Sequence, residues 1–213
     1  MALTLIIGNK NYSSWSLRPW LVLRQSGLPF AEELIPLYQP DSRSRLLART
    51  PSGLVPALVV DDELVICDSL AIAEYVAERA PEAELWPSEA RARAHARSIS
   101  CEMHAGFATM RTLMGMSIRD RRPTPAMTPE LERDIARVRQ IWTDTRARFG
   151  AAGPYLFGAF TIADAMYAPV VTRFRTYGIE LTSACGEYAA AMWEHPALIE
   201  WADAGAAEPW TIP

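Results

Sequence analysis

The chain has 213 residues, half of them hydrophobic and 22% charged, with a formal net charge of −4. That balance supplies a core for one large domain or two small ones, and it gives no basic surface for nucleic acid or an anionic membrane. Three widely separated cysteines (Cys67, Cys101, Cys185) without a CxxC pair argue against a disulfide framework or a zinc site, so no metal is expected and a reducing compartment is. The first apolar run, Leu3 to Ile7, is too short for a signal peptide or a membrane span. The expectation is a soluble, cytoplasmic protein.

Leu3 to Ile7, closed by Gly8, has the near-continuous apolar pattern of a buried strand. Ser14 to Ser26 places Trp15, Leu17, Trp20, Leu21 and Leu23 at helical spacing and stops at Gly27. Pro19 is expected near the first turn, where a missing N–H does little harm. Glu33 to Leu37 reads as a second strand, and Asp41 to Thr50 as a polar helix ended by Pro51. Ala57 to Val60 and Leu64 to Ile66 flank Asp61-Asp62-Glu63 as a hairpin, and Asp68 opens a third helix that ends near Pro81. The order is β-α-β-α-β-β-α.

Residues 81–87 read as a linker, and nearly everything after them is helical. Ser88 to about Ile118 is predicted as one long helix with Met103, Phe107, Met110 and Met114 along one side. A proline-rich loop, Arg119 to Pro129, precedes a charged amphipathic helix from Glu130 to Phe149. Thr161 to about Tyr177 is a more apolar helix, central to the second domain, and two short helices flank His195-Pro196. The fold class is α+β in two domains, residues 1–80 and an all-helical 88–213.

Three places carry chemistry. Asn11-Tyr12-Ser13-Ser14-Trp15-Ser16 sets hydroxyl groups between a strand and a helix N-terminus, beside unpaired N–H groups that favour an anion. A serine N-cap alone explains one of those hydroxyls. His95, His104 and His195 all lie in the second half, which argues against a serine-hydrolase triad. Leu54-Val55-Pro56-Ala57 enters a strand at a proline, the place in a ladder where proline is tolerated. Asp68-Ser69 starts a helix directly after a strand; it serves either as a cap or as a holder for the ammonium and carboxylate ends of an amino acid.

In this order these segments resemble the cytosolic glutathione transferases. Ser13-Ser14-Trp15-Ser16-Leu17-Arg18 is similar to the serine motif of the zeta class. Thr50 to Leu58 is similar to the family's valine-proline stretch, and Asp68-Ser69-Leu70-Ala71-Ile72 to its helix start. Phe160 to Asp164 is similar to its capping box in the second domain.

The resemblance implies a thioredoxin-like glutathione-binding domain, a helical domain that shapes a pocket for an electrophile, a homodimer, and a transferase used in detoxification. It implies that Ser13, with Ser14 as its competitor, donates to the glutathione sulfur. Val55 would pair its backbone with the cysteinyl unit beside a cis Pro56, and Asp68 and Ser69 would hold the γ-glutamyl end. Gln39 is assigned to the glycine carboxylate, with Arg43 and Arg45 as alternatives. Met103, Phe107, Met110 and Arg111 are assigned to the electrophile pocket, and the methionines and Phe107 serve equally as plain core. Arg111, Arg173 and Arg175 are each either solvated or aimed at an acidic substrate.

Three departures separate the chain from a faithful maleylacetoacetate isomerase. Trp15 stands where the zeta motif has cysteine, Thr50 where the family has asparagine, and Leu54 where it has lysine or glutamine. A zeta-like isomerase of a conjugated diacid and a non-catalytic, regulatory glutathione binder are the rival readings.

Overall fold

The computed structural model describes residues 1–212. Strands β1 (Leu3–Ile7), β2 (Ala31–Leu34), β3 (Ala57–Val60) and β4 (Leu64–Cys67) form one sheet in the order β2-β1-β3-β4. β2 runs parallel to β1, and the other two pairings are antiparallel, with Thr4 opposite both Ala31 and Val59. β1 and β3 lie at the centre, which is why both are aliphatic runs rather than alternating ones.

Successive side chains leave a strand on opposite faces. Leu5, Ile7, Leu58 and Val60 therefore join one core with α1 (Ser14–Ser26) and α3 (Ser69–Arg79). Ile6, Ala57 and Val59 join a smaller one under Leu46 of α2 (Ser42–Arg49). This is a thioredoxin-like unit.

A 3-10 turn at Pro81–Ala83 leads into the helical part: α4 (Ala90–Ala105), α5 (Ala108–Leu113), α6 (Pro129–Phe149), α7 (Ile162–Thr176), α8 (Ser183–Glu194) and α9 (Pro196–Ala207). α7 is buried everywhere except Arg175 and packs against α1, α4 and α8, so it joins the two halves. Its start is fixed by Asp164. That buried carboxylate accepts from the Thr161 N–H at 2.8 Å, the Thr161 hydroxyl at 2.9 Å and the Leu156 N–H at 3.0 Å.

Three expectations are corrected. β2 spans Ala31–Leu34 rather than Glu33 to Leu37, because the ladder ends just ahead of Pro36, which has no N–H to give. Pro19 is the sixth residue of α1, not a first-turn residue, so the Trp15 carbonyl loses its helical donor. The long helix predicted over residues 88–118 is two helices. Gly106 is extended, with its Cα hydrogens facing the Glu102 carbonyl, where a Cβ would come within 2.8 Å. Phe107 is left-handed with φ of 62°. The break is stabilised by Arg111, whose guanidinium donates to the carbonyls of Met103, His104 and Gly106 at the end of α4.

Candidate functional site

The loop between β1 and α1 is held by its own backbone. The Asn9 carbonyl accepts from the N–H groups of Tyr12 (3.1 Å) and Ser13 (2.8 Å), and Asn9 Oδ1 accepts from the Leu37 N–H at 2.8 Å. The second half of the chain clamps the same loop. Glu208 accepts from the N–H groups of Lys10 (2.6 Å) and Asn11 (3.0 Å). Arg119 donates to the Tyr12 hydroxyl and to the carbonyls of Glu208 and Trp210. Gly205 of α9 sits so close that an added Cβ would lie 3.0 Å from the Asn11 nitrogen.

This clamp sets the serines. Ser13 is the N-cap of α1: its Oγ accepts from the Ser16 N–H at 3.3 Å, and its hydroxyl donates to Ser16 Oγ at 2.7 Å. Ser16 Oγ also accepts from the Gly8 N–H at 3.1 Å. Ser14 Oγ accepts from the Arg173 guanidinium at 3.2 Å.

Although only 6% and 7% exposed, Ser13 and Ser14 line a cavity of about 490 Å³ with Gln39, Arg43 and Val55. An adjoining cavity of about 450 Å³ is lined by Ser52, Pro56, Cys67, Asp68 and Ser69, and Trp15, Leu54 and Val55 border both. The Val55–Pro56 peptide bond is cis. No hydrogen bond among the described residues uses the backbone N–H or C=O of Val55. Asp68 has φ of 81°, a conformation rare outside glycine, and caps α3 by accepting from the Leu70 N–H at 2.8 Å. Ser69 Oγ is buried without a partner among the described residues.

Ser13, Ser14, Gln39, Val55, Pro56, Asp68 and Ser69 are thus gathered around one cleft. Arg43 is there too, whereas Arg45 turns to Asp41 at 3.7 Å. Met103, Phe107 and Met110 are not at the cleft. All three are buried in the main core, together with Met114.

Beside the cleft lies a group of arginines. Arg18, on the buried face of α1, is 1% exposed, and none of its guanidinium nitrogens has a hydrogen-bond partner among the described residues. Its guanidinium carbon is 4.3 Å from the centre of the Trp15 ring, and that of Arg111 is 4.8 Å from it. His104 meets the same ring edge-on at 5.2 Å. Burial, followed by the charges of Arg111 and Arg173, holds the Arg18 pKa well below its usual value, and Asp68 opposes them. Burial and then Arg111 lower that of Arg173 to about 10. Arg111 is half-buried rather than solvated; Arg175 is exposed and stacks on Trp193 at 4.2 Å.

The sequence assigned no role to Arg18, Ser16 or His104, and left Arg173 between two roles. The visible signal for Arg173 was a charge inside a helix apolar on every face.

Two profiles of one family match in chain order: glutathione S-transferase, N-terminal domain, over residues 12–79, and glutathione S-transferase, C-terminal domain, over residues 124–204. The chain is 35% identical over 100 residues to a probable maleylacetoacetate isomerase of Caenorhabditis elegans, covering 47% of this chain and 45% of that protein. It therefore spans about half the length of that curated relative. It is 27% identical over 192 residues to the glutathione S-transferase GstA of Escherichia coli O157:H7, covering 85% and 88%. Over 168 residues it is 25% identical to a stringent starvation protein A homologue of Haemophilus ducreyi, covering 78% and 73%. Among solved structures, the holo form of a bacterial zeta-class maleylpyruvate isomerase superposes with a TM-score of 0.74 at 23% identity, covering all of both chains. A Burkholderia glutathione transferase homologue with bound glutathione gives 0.71 at 21% identity, covering 98% and 100%. At such identities these two structures establish the shared fold.

Proposed function

The chain belongs to the glutathione S-transferase family, and from that premise we propose that it binds glutathione in the cleft at the start of α1 and activates its thiol for attack on an electrophilic small molecule. The observation that carries this reading is the convergence on one cleft of a helix N-cap serine, an unpaired backbone unit at Val55 and the Asp68-Ser69 helix start. The N–H and C=O of Val55 suit the cysteinyl unit of an extended peptide. Asp68 suits the γ-glutamyl ammonium, and Ser69 Oγ with the first amides of α3 suits its carboxylate. Gln39 and Arg43, which line the same cleft, suit the glycine carboxylate.

A free thiol with a pKa near 8.5 is only a few per cent ionised at neutral pH, and lowering it by about two units is worth roughly 2.7 kcal/mol. Ser13 supports such a shift by two routes. Its hydroxyl stands at the positive end of α1. It also shares a short contact with Ser16, so two hydroxyl protons can turn in concert: Ser16 then donates to Ser13 Oγ and Ser13 donates to the thiolate. Ser16 remains satisfied through the Gly8 N–H. The thiolate forms a bond to an electrophilic carbon. In substitution or dehalogenation the leaving group or halide departs with the bonding pair. In conjugate addition the C=C π bond opens and the neighbouring carbon takes a proton, and in addition–elimination the C–S bond then breaks again to release the thiolate.

Residues 1–80 serve as the glutathione-binding domain and residues 88–213 as the domain facing the electrophile. The setting is cytoplasmic detoxification, in keeping with three unpaired cysteines. The assembly is a homodimer, in keeping with the exposed Tyr38 and Leu54 at the cleft and the exposed Leu47 of α2.

A second reading is favoured by Arg18 and Arg111 against Trp15: isomerisation of a conjugated diacid whose carboxylate meets these guanidinium groups. Calorimetry with millimolar glutathione, followed by a panel of neutral and carboxylate-bearing electrophiles, tests both readings. No glutathione binding sinks the proposal. Turnover confined to acids selects the isomerase, and binding without any turnover selects a regulatory binder.

A further inference from the structure

We propose that Arg173 is a positioning residue for thiol activation: from α7 it holds the Ser14 oxygen, turning the Ser14 hydroxyl proton into the cleft as a second, charge-backed donor to the glutathione sulfur. The inference rests on the glutathione reading above.

Arg173 is fully buried and clamped at three points. Nε donates to the Met114 carbonyl at 2.8 Å, Nη1 to the Pro169 carbonyl at 3.2 Å, and Nη2 to Ser14 Oγ at 3.2 Å. A guanidinium has no acceptor, so Ser14 must accept in that contact and its single proton points elsewhere. Ser14 borders the cavity next to Ser13, which leaves the cleft as the destination for that proton. A hydroxyl that accepts from a cation is polarised and donates more strongly to an anion.

The surrounding charges act in the same direction. Arg18 of α1 and Arg111 of α5 pack against Trp15, which borders the cleft, and Arg43 of α2 lines it. The opposing carboxylate is Asp68, already engaged by the Leu70 N–H and by His104 of α4 at 3.2 Å. The cluster is therefore net positive, and nearby positive charge favours a thiolate over a thiol. With its pKa lowered only to about 10, Arg173 keeps its charge at neutral pH. The proton leaving the thiol goes to solvent, and Arg173 forms no bond to it.

Ultraviolet titration of glutathione bound to the wild type and to Arg173→Gln, Arg173→Lys, Ser14→Ala and the Ser14→Ala/Arg173→Gln double variant tests the proposal. Arg173→Gln and Ser14→Ala are each expected to raise the bound-thiol pKa by about one unit, a roughly tenfold fall in the thiolate-to-thiol ratio that leaves about threefold less thiolate at neutral pH. Arg173→Lys should raise it less, and the double variant less than the sum of the singles. Glutathione bound with an unshifted pKa in Ser14→Ala and Arg173→Gln overturns the proposal, and fully additive shifts overturn the relay through Ser14. Should Arg173→Gln not fold, Ser14→Ala and Arg173→Lys decide by the same criterion. A wild type that binds no glutathione sinks the underlying reading, whereas binding with unshifted variants sinks only this inference.

Discussion

Asp68 divides its carboxylate between the two halves of the protein: Oδ1 accepts from the Leu70 N–H at 2.8 Å, and Oδ2 lies 3.2 Å from Nε2 of His104. The cap therefore carries its local helix duty and a long-range contact at once. Asp68→Ala is expected to weaken glutathione binding by about ten- to a hundredfold, the loss of one hydrogen bond to a charged group, while moving the bound-thiol pKa little. It also removes a cap at a left-handed φ, so Asp68→Gly should be the more stable of the two variants. Calorimetry and thermal unfolding check both statements, and a Gly variant less stable than Ala contradicts the second.

Ser13→Ala should raise the pKa of bound glutathione by about one to two units. Turnover at neutral pH falls accordingly, and alkaline pH partly restores it. Ser16→Ala should produce a smaller shift in the same direction, because Ser13 keeps its proton but loses the donor behind it. Unchanged pH–rate profiles in both variants would reject the serine pair as the source of activation.

Asp164 is buried in the capping box of α7, and its pH dependence has a definite sign. Burial raises its pKa from 3.8 to about 6, against the hydrogen bonds from Leu156 and Thr161. Between those values the native state keeps a proton that the unfolded chain releases, so this group's contribution to stability falls as pH rises through that window and levels off above it. Asp164→Ala should flatten that part of the stability curve. It should also cost about 1–3 kcal/mol for each buried N–H left unpaired. Denaturant unfolding of the two proteins across the window provides the measurement.

Gly205→Ala should move α9 off the loop that carries Ser13, since the new Cβ would sit 3.0 Å from the Asn11 nitrogen and 3.1 Å from the Lys10 carbonyl carbon, both backbone atoms. A loss of about 1–3 kcal/mol is expected, with weaker glutathione binding because Glu208 shifts away from the same two N–H groups. Gly115→Ala, whose Cβ meets nothing within 4 Å, is the control and should leave glutathione binding unchanged.

The residues around the cleft were legible in the sequence wherever their role is local. A serine before an apolar helical period, a proline at a strand entrance and an Asp-Ser after a strand each state their backbone geometry within a few residues. Ser13, Pro56 and Asp68 accordingly occupy the cap, strand-entry and cap positions their neighbours specify. The β-α-β-α-β-β-α order was readable for the same reason, because strand and helix periods are short. What remained illegible depends on contacts across the chain. Nothing near Gly106 announces that Arg111 will reach back and stabilise a helix end there, so the break in the predicted long helix appears only in three dimensions. The burial of Met103, Phe107 and Met110 away from the cleft depends on what packs over them. The arginines follow the same rule: Arg18, Arg111 and Arg173 lie on three helices, and only tertiary packing brings their charges together beside Ser14 and Trp15. Local geometry is set by a residue's neighbours in sequence, whereas burial and electrostatic environment are set by neighbours that the fold supplies.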